Sequence, residues 1–406
     1  MAHINMRVLR KCHALLCLLL IALLPACAQA SKTLSQYPNQ ALVLGAERVS
    51  VYLPLLANKR VGLVVNQTSR VGQAHLLDVL IANGIDVKVL FAPEHGVRGN
   101  IGAGEHVENS TDAATGVPIQ SIYGDNKTPP SNIMQALDVI VFDIQDVGTR
   151  FYTYISSMHY MMQAAAKHNV SFIVLDRPNP NGRFVDGPIL EPQFQSFVGM
   201  HPIPVLHGLS VGELALMIVG EQWIEQAETL DLHVISMQGY AKSMPYILPV
   251  APSPNLPNAK AIALYPSLCF FEASAVSVGR GTDLPFQQIG HNIVALGEHR
   301  FTPESRPYAA PNPKLEGLNL FAIDLRDSKI EGLNLQPLLQ AHRRFNEQGE
   351  VFFTSPSFMD KLAGSDQLRK DIQDGKSEDE IRERWQAGLA AYKQMRQPYL
   401  LYPNDF

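Results

Sequence analysis

The residues of this chain best equipped for chemistry lie in four short segments, each placed directly after an apolar, β-branched run. They are Asn66-Gln67-Thr68, Pro93-Glu94-His95-Gly96-Val97-Arg98-Gly99, Asp143-Ile144-Gln145-Asp146-Val147-Gly148-Thr149-Arg150 and Asp176-Arg177-Pro178-Asn179-Pro180-Asn181-Gly182. Carboxylates, arginines and amides dominate them, an inventory suited to sugar recognition and acid/base hydrolysis. Cleaving a glycosidic bond takes a protonated acid at the leaving oxygen and stabilisation of an oxocarbenium-like centre. Glu94 is the candidate acid. It follows a strand candidate directly, and Ala92 and Pro93 beside it are apolar, so partial desolvation would favour its protonated form. The purely structural alternative is a carboxylate that caps the next turn or pairs with Arg98.

Asp143 and Asp146 form a second carboxylate pair. On an extended strand end, positions three apart point to opposite sides, so one is expected to meet a ligand. Asp146 is the one expected to do so, leaving Asp143 to cap the helix that begins near Thr149 or to pair with Arg150. Arg150, Arg177 and Arg280 either neutralise internal acids or meet an anionic substituent. Arg280 lies in Gly279-Arg280-Gly281-Thr282, where flanking glycines let the backbone approach a ligand closely. Tyr152 and Tyr154 either stack on a sugar face or line a helix start. His95, Glu105, His106, His201 and His207 show neither an i,i+4 histidine pair nor H-E-x-x-H, so no metal is expected. Cys269, within Leu268-Cys269-Phe270-Phe271, reads as a small buried hydrophobe rather than a nucleophile.

The elements that must position these groups follow from hydrophobic patterning. Strands are expected at 61–66, 87–91, 139–144, 172–176 and 232–236, as nearly unbroken apolar runs of the kind found in parallel strands covered on both faces. Amphipathic stretches at 74–83, 155–168 and 211–226 alternate with them. The order predicts an α/β fold with a Rossmann-like, doubly wound, mainly parallel sheet and right-handed crossovers. In such sheets ligands bind beyond the carboxyl ends of the strands, where all four loaded segments should converge. Four prolines between Met244 and Pro254 mark a rigid connector. It separates a domain over 40–250 from a smaller α+β domain over 258–406, with strands at 321–325 and 351–353 and helices at 335–346 and 378–392.

Composition narrows the function further. A chain of 406 residues with 46% hydrophobic and 17% charged residues is globular and long enough for two domains. A net charge of −5 supplies no basic field for nucleic acid. There is no G-x-G-x-x-G after a strand, no P-loop and no G-x-S-x-G elbow, so neither a nucleotide cofactor nor acyl-serine chemistry is expected, and no cofactor at all. Residues 1–30 read as a signal peptide: Arg7, Arg10 and Lys11 precede an apolar run too short to span a bilayer comfortably. Ala28-Gln29-Ala30 is an A-x-A cleavage site, whereas Leu24-Pro25-Ala26-Cys27 resembles a lipoprotein box. Either reading places the mature chain outside the cytoplasm, as a periplasmic or extracellular protein, tethered to a membrane only if Cys27 is lipidated.

Several blocks resemble the exo-β-N-acetylmuramidases, a family long catalogued only as a domain of unknown function. They are Phe91 to Gly99, Val141 to Tyr154, Leu175-Asp176-Arg177-Pro178-Asn179-Pro180, His207-Gly208-Leu209-Ser210-Val211-Gly212-Glu213-Leu214, Pro252-Ser253-Pro254-Asn255-Leu256-Pro257 and Val278 to Phe286. The resemblance covers roughly residues 45 to 405. It implies a Rossmann-like catalytic domain, a smaller domain closing over it, and exo-cleavage of β-1,4-linked N-acetylmuramic acid from peptidoglycan chains. It gives Glu94, Asp146 and Asp143 catalytic roles. It makes Asn66, His95, Arg98, Arg150, Tyr152, Asp176, Arg177, His207, Glu272 and Arg280 substrate-binding candidates. Muramic acid carries a lactyl carboxylate, which a bidentate guanidinium suits, and Arg280 is the first choice for it. Two departures bear on the subsite beyond the scissile bond: Ala273-Ser274-Ala275 follows Glu272 where many relatives have glycine and threonine, and Ala251 stands where many have tryptophan. A periplasmic receptor that binds a muropeptide without cutting it, and a metal-assisted hydrolase, are the alternative classes.

Overall fold

The computed structural model describes residues 41–404 apart from Asn100, Ala103 and His106, so the signal-peptide and Cys27 readings lie outside the described residues. The large domain is built on strands β1 (Arg60–Val65), β4 (Asp86–Ala92), β6 (Pro118–Ser121), β7 (Val139–Asp143), β8 (Ser171–Leu175) and β9 (Leu232–Ile235), with the two-residue β5 (Ser110–Thr111) at one edge. A small hairpin, β2 (Arg70–Val71) and β3 (Ala74–His75), stands apart from that sheet. The seven-stranded order is β5-β6-β4-β1-β7-β8-β9, with every pairing parallel except β5 on β6. Without β5, the parallel strands run third-second-first-fourth-fifth-sixth in chain order. That is the doubly wound Rossmann arrangement, with its switch point between β1 and β7.

Both faces of the sheet are sealed, which explains the unbroken apolar runs. Along β7, Val139 and Val141 join one buried cluster while Ile140 and Phe142 join another on the opposite face. Helices α1 (Val49–Leu56) and α2 (Leu76–Ala82) contribute to the first cluster; α4 (Tyr154–His168) and α5 (Val211–Gly220) to the second. A short α3 (Ser131–Met134) precedes β7. α5 starts on a capping box, with Ser210 and Glu213 exchanging bonds, and ends at Gly220 rather than at 226. The shortfall has a local cause: Gln222 takes a φ of +55°, and the Gln222 and Trp223 amides donate back to the Val219 and Ile218 carbonyls at 3.1 and 2.9 Å, which closes the helix.

The smaller domain has a separate antiparallel sheet of order β10-β12-β11 (Gln288–His291, Leu320–Asp324 and His299–Phe301). Around it lie α6 (Ala259–Leu268), α7 (Gln336–Glu347), α8 (Pro356–Ala363), α9 (Gln367–Gln373) and α10 (Glu378–Met395). One expectation fails here. Residues 351–353 form no strand; Phe353 makes a lone bridge to Ser274, and Phe352 and Phe353 pack as core aromatics. β6 was not anticipated, because its half-buried Pro-Ile-Gln-Ser carries no apolar run.

Candidate active site

β4 ends at Ala92 and the chain turns through Pro93, which presents Glu94 at the carboxyl edge of the sheet, half-buried. Both carboxylate oxygens are held. Oε1 accepts from the Tyr123 hydroxyl at 2.9 Å and the Gly104 amide at 3.1 Å, and Oε2 accepts from the Thr153 hydroxyl at 3.0 Å. The immediate setting is therefore a ring of donors rather than the apolar niche its neighbours suggested. Glu94 faces a cleft of about 440 Å³ whose other lining residues include Glu272, Val278, Arg280, Asn312 and Lys314.

The wall opposite is built by the smaller domain. Gly279 and Gly281 both have φ of +80°, and a Cβ on them would lie 2.7 Å from the Leu284 carbonyl and 2.6 Å from the Glu304 carbonyl. Only glycine fits either place. This kinked turn aims Arg280, whose Nε donates to Glu272 Oε1 at 2.8 Å and whose guanidinium lies 5.0 Å from the Phe286 ring centroid. Its terminal nitrogens make no bond to the described residues. Glu272 stands on a single helical turn, Cys269–Ala273, whose last carbonyls take the Lys314 ammonium: Phe271 and Glu272 at 3.3 Å each, and Ser274 as well. Of the four loaded segments expected to converge, only the one carrying Glu94 lines this cavity; Glu94, Glu272 and Arg280 meet there, and Asp146 does not.

Other candidates serve the scaffold beneath it. Asp143 turns inward, fully buried, and takes a bidentate bond from Arg177 (Nε at 2.6 Å, Nη2 at 2.9 Å), not from Arg150. Asp176 is equally buried and accepts from Ser210, Tyr402 and the Gly212 amide at 2.7, 2.5 and 2.8 Å; burial raises its pKa to about 6. Arg150 is away from the cleft as well. Its guanidinium is enclosed and donates to the carbonyls of Pro188, Ile203 and Leu362, so it ties three chain segments together instead of meeting a ligand. Arg98 is spent on Asp112 in a bidentate pair at 2.9 and 3.1 Å. Asn66 folds back on its own turn, its Oδ1 accepting from the Thr68 amide and hydroxyl.

Asp146, expected to face the ligand, is buried and does not line the cleft. Its Oδ2 accepts from the Gly148 amide at 2.6 Å, while Oδ1 has no partner among the described residues. Burial, opposed by the Gly148 and Val147 amides, raises its pKa to about 7. His207 sits 4.0 Å from it and is pushed down to about 3 by burial and nearby cations, hence neutral. Tyr152 and Tyr154 pack edge to face at 5.0 Å, and burial, with the nearby Glu94 and Asp146 charges adding to it, pushes both phenol pKa values up. His95 has φ of +69° and its Nδ1 bonds the Ile101 carbonyl at 2.8 Å. His201 is stacked on Trp223, and Cys269 is a buried thiol whose pKa is pushed up by burial. No group of three His, Cys, Asp or Glu side chains among the described residues is arranged to hold a metal.

Tyr123, Thr153 and Lys314 were not anticipated from sequence. Thr153 carried a signal, since it lies within the Thr149–Tyr154 run just beyond the β7 loop. Tyr123 and Lys314 carried none, because each reaches the site only through chain segments that follow elements of weak pattern.

A Rossmann-ordered sheet with a carboxylate at its carboxyl edge, and an arginine–glutamate pair from a second domain lining the same cleft, defines a two-domain α/β protein with a charged cleft. Comparison with known proteins makes this specific. The model described as "Exo-beta-N-acetylmuramidase NamZ, N-terminal" matches residues 61–260, and its C-terminal counterpart matches 263–402. The peptidoglycan β-N-acetylmuramidase NamZ of Bacillus subtilis (strain 168) is 36% identical over 375 residues, 86% of this chain and 89% of that one. Two DUF1343 family crystal structures from Bacteroides fragilis are alike in fold. One has TM-score 0.82 at 43% identity, the other 0.77 at 29%, each covering 90% of this chain and 100% of its own. The chain belongs to the exo-β-N-acetylmuramidase NamZ family.

Proposed function

We propose that this chain is an exo-acting glycosidase that releases terminal, non-reducing β-1,4-linked N-acetylmuramic acid from peptidoglycan fragments, with Glu94 as proton donor to the leaving oxygen and Arg280 as the contact for the lactyl carboxylate. The observation that carries the assignment of roles is the shared cleft. Glu94 and Arg280 come from different domains, lie 186 positions apart in the chain (280 − 94), and line one cavity. Tyr123 and Thr153 hydroxyls can donate or accept, so they can hold the Glu94 carboxyl in both protonation states of a catalytic cycle. Glu272 is the other carboxylate lining the cleft; its bond to Arg280 Nε orients the guanidinium and leaves the terminal nitrogens for a carboxylate. Asp143 and Arg177, locked to each other, hold the β7 and β8 ends that support this edge.

The leader-like features of residues 1–30 support export, so the substrate is met outside the cytoplasm. The purified mature chain, incubated with a 4-nitrophenyl β-N-acetylmuramide and its β-N-acetylglucosaminide, should release nitrophenol from the first alone. Release from neither sinks the reading, and release only from the glucosaminide reassigns the sugar. Metabolic labelling with an alkyne fatty acid decides whether Cys27 carries lipid.

A further inference from the structure

Beside the main cleft lies a second, smaller cavity of about 60 Å³, and Glu94 and Arg280 line both. Phe151, Leu256 and Phe286 give its lining apolar surface, and Tyr152, Ser253 and Asn255 give it polar groups. We infer that this cavity receives the 2-acetamido group of the sugar whose bond is broken, and that its walls select the N-acyl substituent. The inference rests on the glycosidase reading above and extends it to a particular group of the substrate.

Three observations support it. The first is spatial order. In N-acetylmuramic acid the scissile bond is at C1, the acetamido group at C2 and the lactyl ether at C3, consecutive positions on one ring. Glu94 and Arg280 both line the small cavity, so a ring with C1 at Glu94 and its lactyl group at Arg280 brings C2 to that cavity. The second is size and chemistry. The volume is about four times the ~15 Å³ that one ordered water needs, which suits a branch of three or four heavy atoms. Asn255 is fixed by its own Nδ2, which donates to the Ala309 carbonyl at 2.7 Å, leaving Oδ1 to accept an amide N–H. The methyl would rest on the aromatic and leucine walls.

The third is backbone strain. His95 (φ +69°) and Phe286 (φ +54°) are non-glycine residues in the left-handed region, and both line this cavity. Such conformations cost energy and persist where surrounding structure enforces them, often at ligand sites. At Phe286 the restraint is visible: its amide donates to the Val278 carbonyl at 2.7 Å and its ring meets Tyr265 edge to face at 5.0 Å. The Pro252–Leu256 loop is held in place by Gln67, whose Nε2 donates to the Ala251 and Pro252 carbonyls at 3.0 and 3.1 Å.

The test is a series of 4-nitrophenyl β-muramides carrying N-acetyl, N-butyryl or a free amine. The wild-type enzyme should prefer N-acetyl over either alternative by roughly tenfold or more in kcat/KM, the scale expected for added or missing methylene groups in a closed pocket. Leu256→Ala should shift the butyryl-to-acetyl ratio at least roughly tenfold toward butyryl, and Ser253→Leu should depress the acetyl substrate more than the free amine. Equal turnover of acetyl and butyryl muramides by the wild-type enzyme overturns the inference, as does a Leu256→Ala ratio that does not move. If Leu256→Ala does not fold, the wild-type series and Ser253→Leu still decide. Failure of the parent reading looks different: no muramide of any kind is hydrolysed.

Discussion

Two polar regions of the molecule, one beneath the sheet edge and one in the cleft, behave in opposite ways. Beneath the sheet edge, Asp143–Arg177, Asp176 with its three donors, and Arg150 with its three carbonyls form a closed layer in which each charged group is bonded to other parts of the protein. In the cleft, Arg280 is bonded through Nε alone and Glu94 faces open volume. The same residue types therefore do different jobs according to whether internal partners saturate them. An arginine whose terminal nitrogens are taken by the protein, as in Arg150, holds segments together. An arginine held by one nitrogen is oriented and still available.

That contrast can be broken at several points. Glu94→Gln keeps the shape and the hydroxyl partners but removes the transferable proton, so turnover of the muramide should fall by roughly 10²–10⁴-fold, the range for a lost acid/base group. Ligand binding by calorimetry should persist, and a variant with near-normal kcat would remove Glu94 from the chemistry. Arg177→Met acts on the closed layer. It leaves Asp143 charged and unpaired in the interior, which costs about 3–5 kcal/mol in urea unfolding, with sugar preference unchanged in the protein that folds. If stability holds and preference changes, the division between layer and cleft is wrong.

Arg280→Met should do the reverse: a loss of about 1.5–3 kcal/mol in transition-state binding, the scale of bonds to charged groups, seen in kcat/KM with muramide and absent with a muramide whose lactyl acid is esterified. Equal loss on both substrates would assign Arg280 to structure. The last prediction concerns Asp146. Its folded pKa of about 7 lies above the ordinary 3.8, so between those values the unfolded chain releases a proton that the folded one keeps. Stability from this group is full below about pH 4 and is lost as pH rises to about 7. Asp146→Asn should match wild type at pH 4 and exceed it at pH 8; Asp176, raised in the same direction, keeps part of the slope. A slope unchanged by the substitution would place the titrating group elsewhere.

Much of the large domain was legible in the sequence. Strands buried on both faces must be apolar at every position, and the β1, β4, β7, β8 and β9 runs were visible within a residue or two at either end. The loaded loops after them were visible too, because a polar cluster following such a run has only the sheet edge to occupy. In the smaller sheet β12 was expected at 321–325, whereas β6, β10 and β11 were not, since short segments of mixed residues carry no period.

The sequence by itself determined the class of fold, the edge at which chemistry would gather and the types of residue there, because these follow from local pattern and chain order. Which arginine and which carboxylates line the cleft was decided only by tertiary structure. Arg150, Arg177 and Arg280 are the same side chain in similar polar settings along the chain. What separates them is the set of distant carbonyls and carboxylates that folding brings within hydrogen-bond reach, contributed by residues as remote as Leu362 and Asp143. The Asp143 pair forms when β7 and β8 come together, and the Leu362 contact only once the two domains have packed.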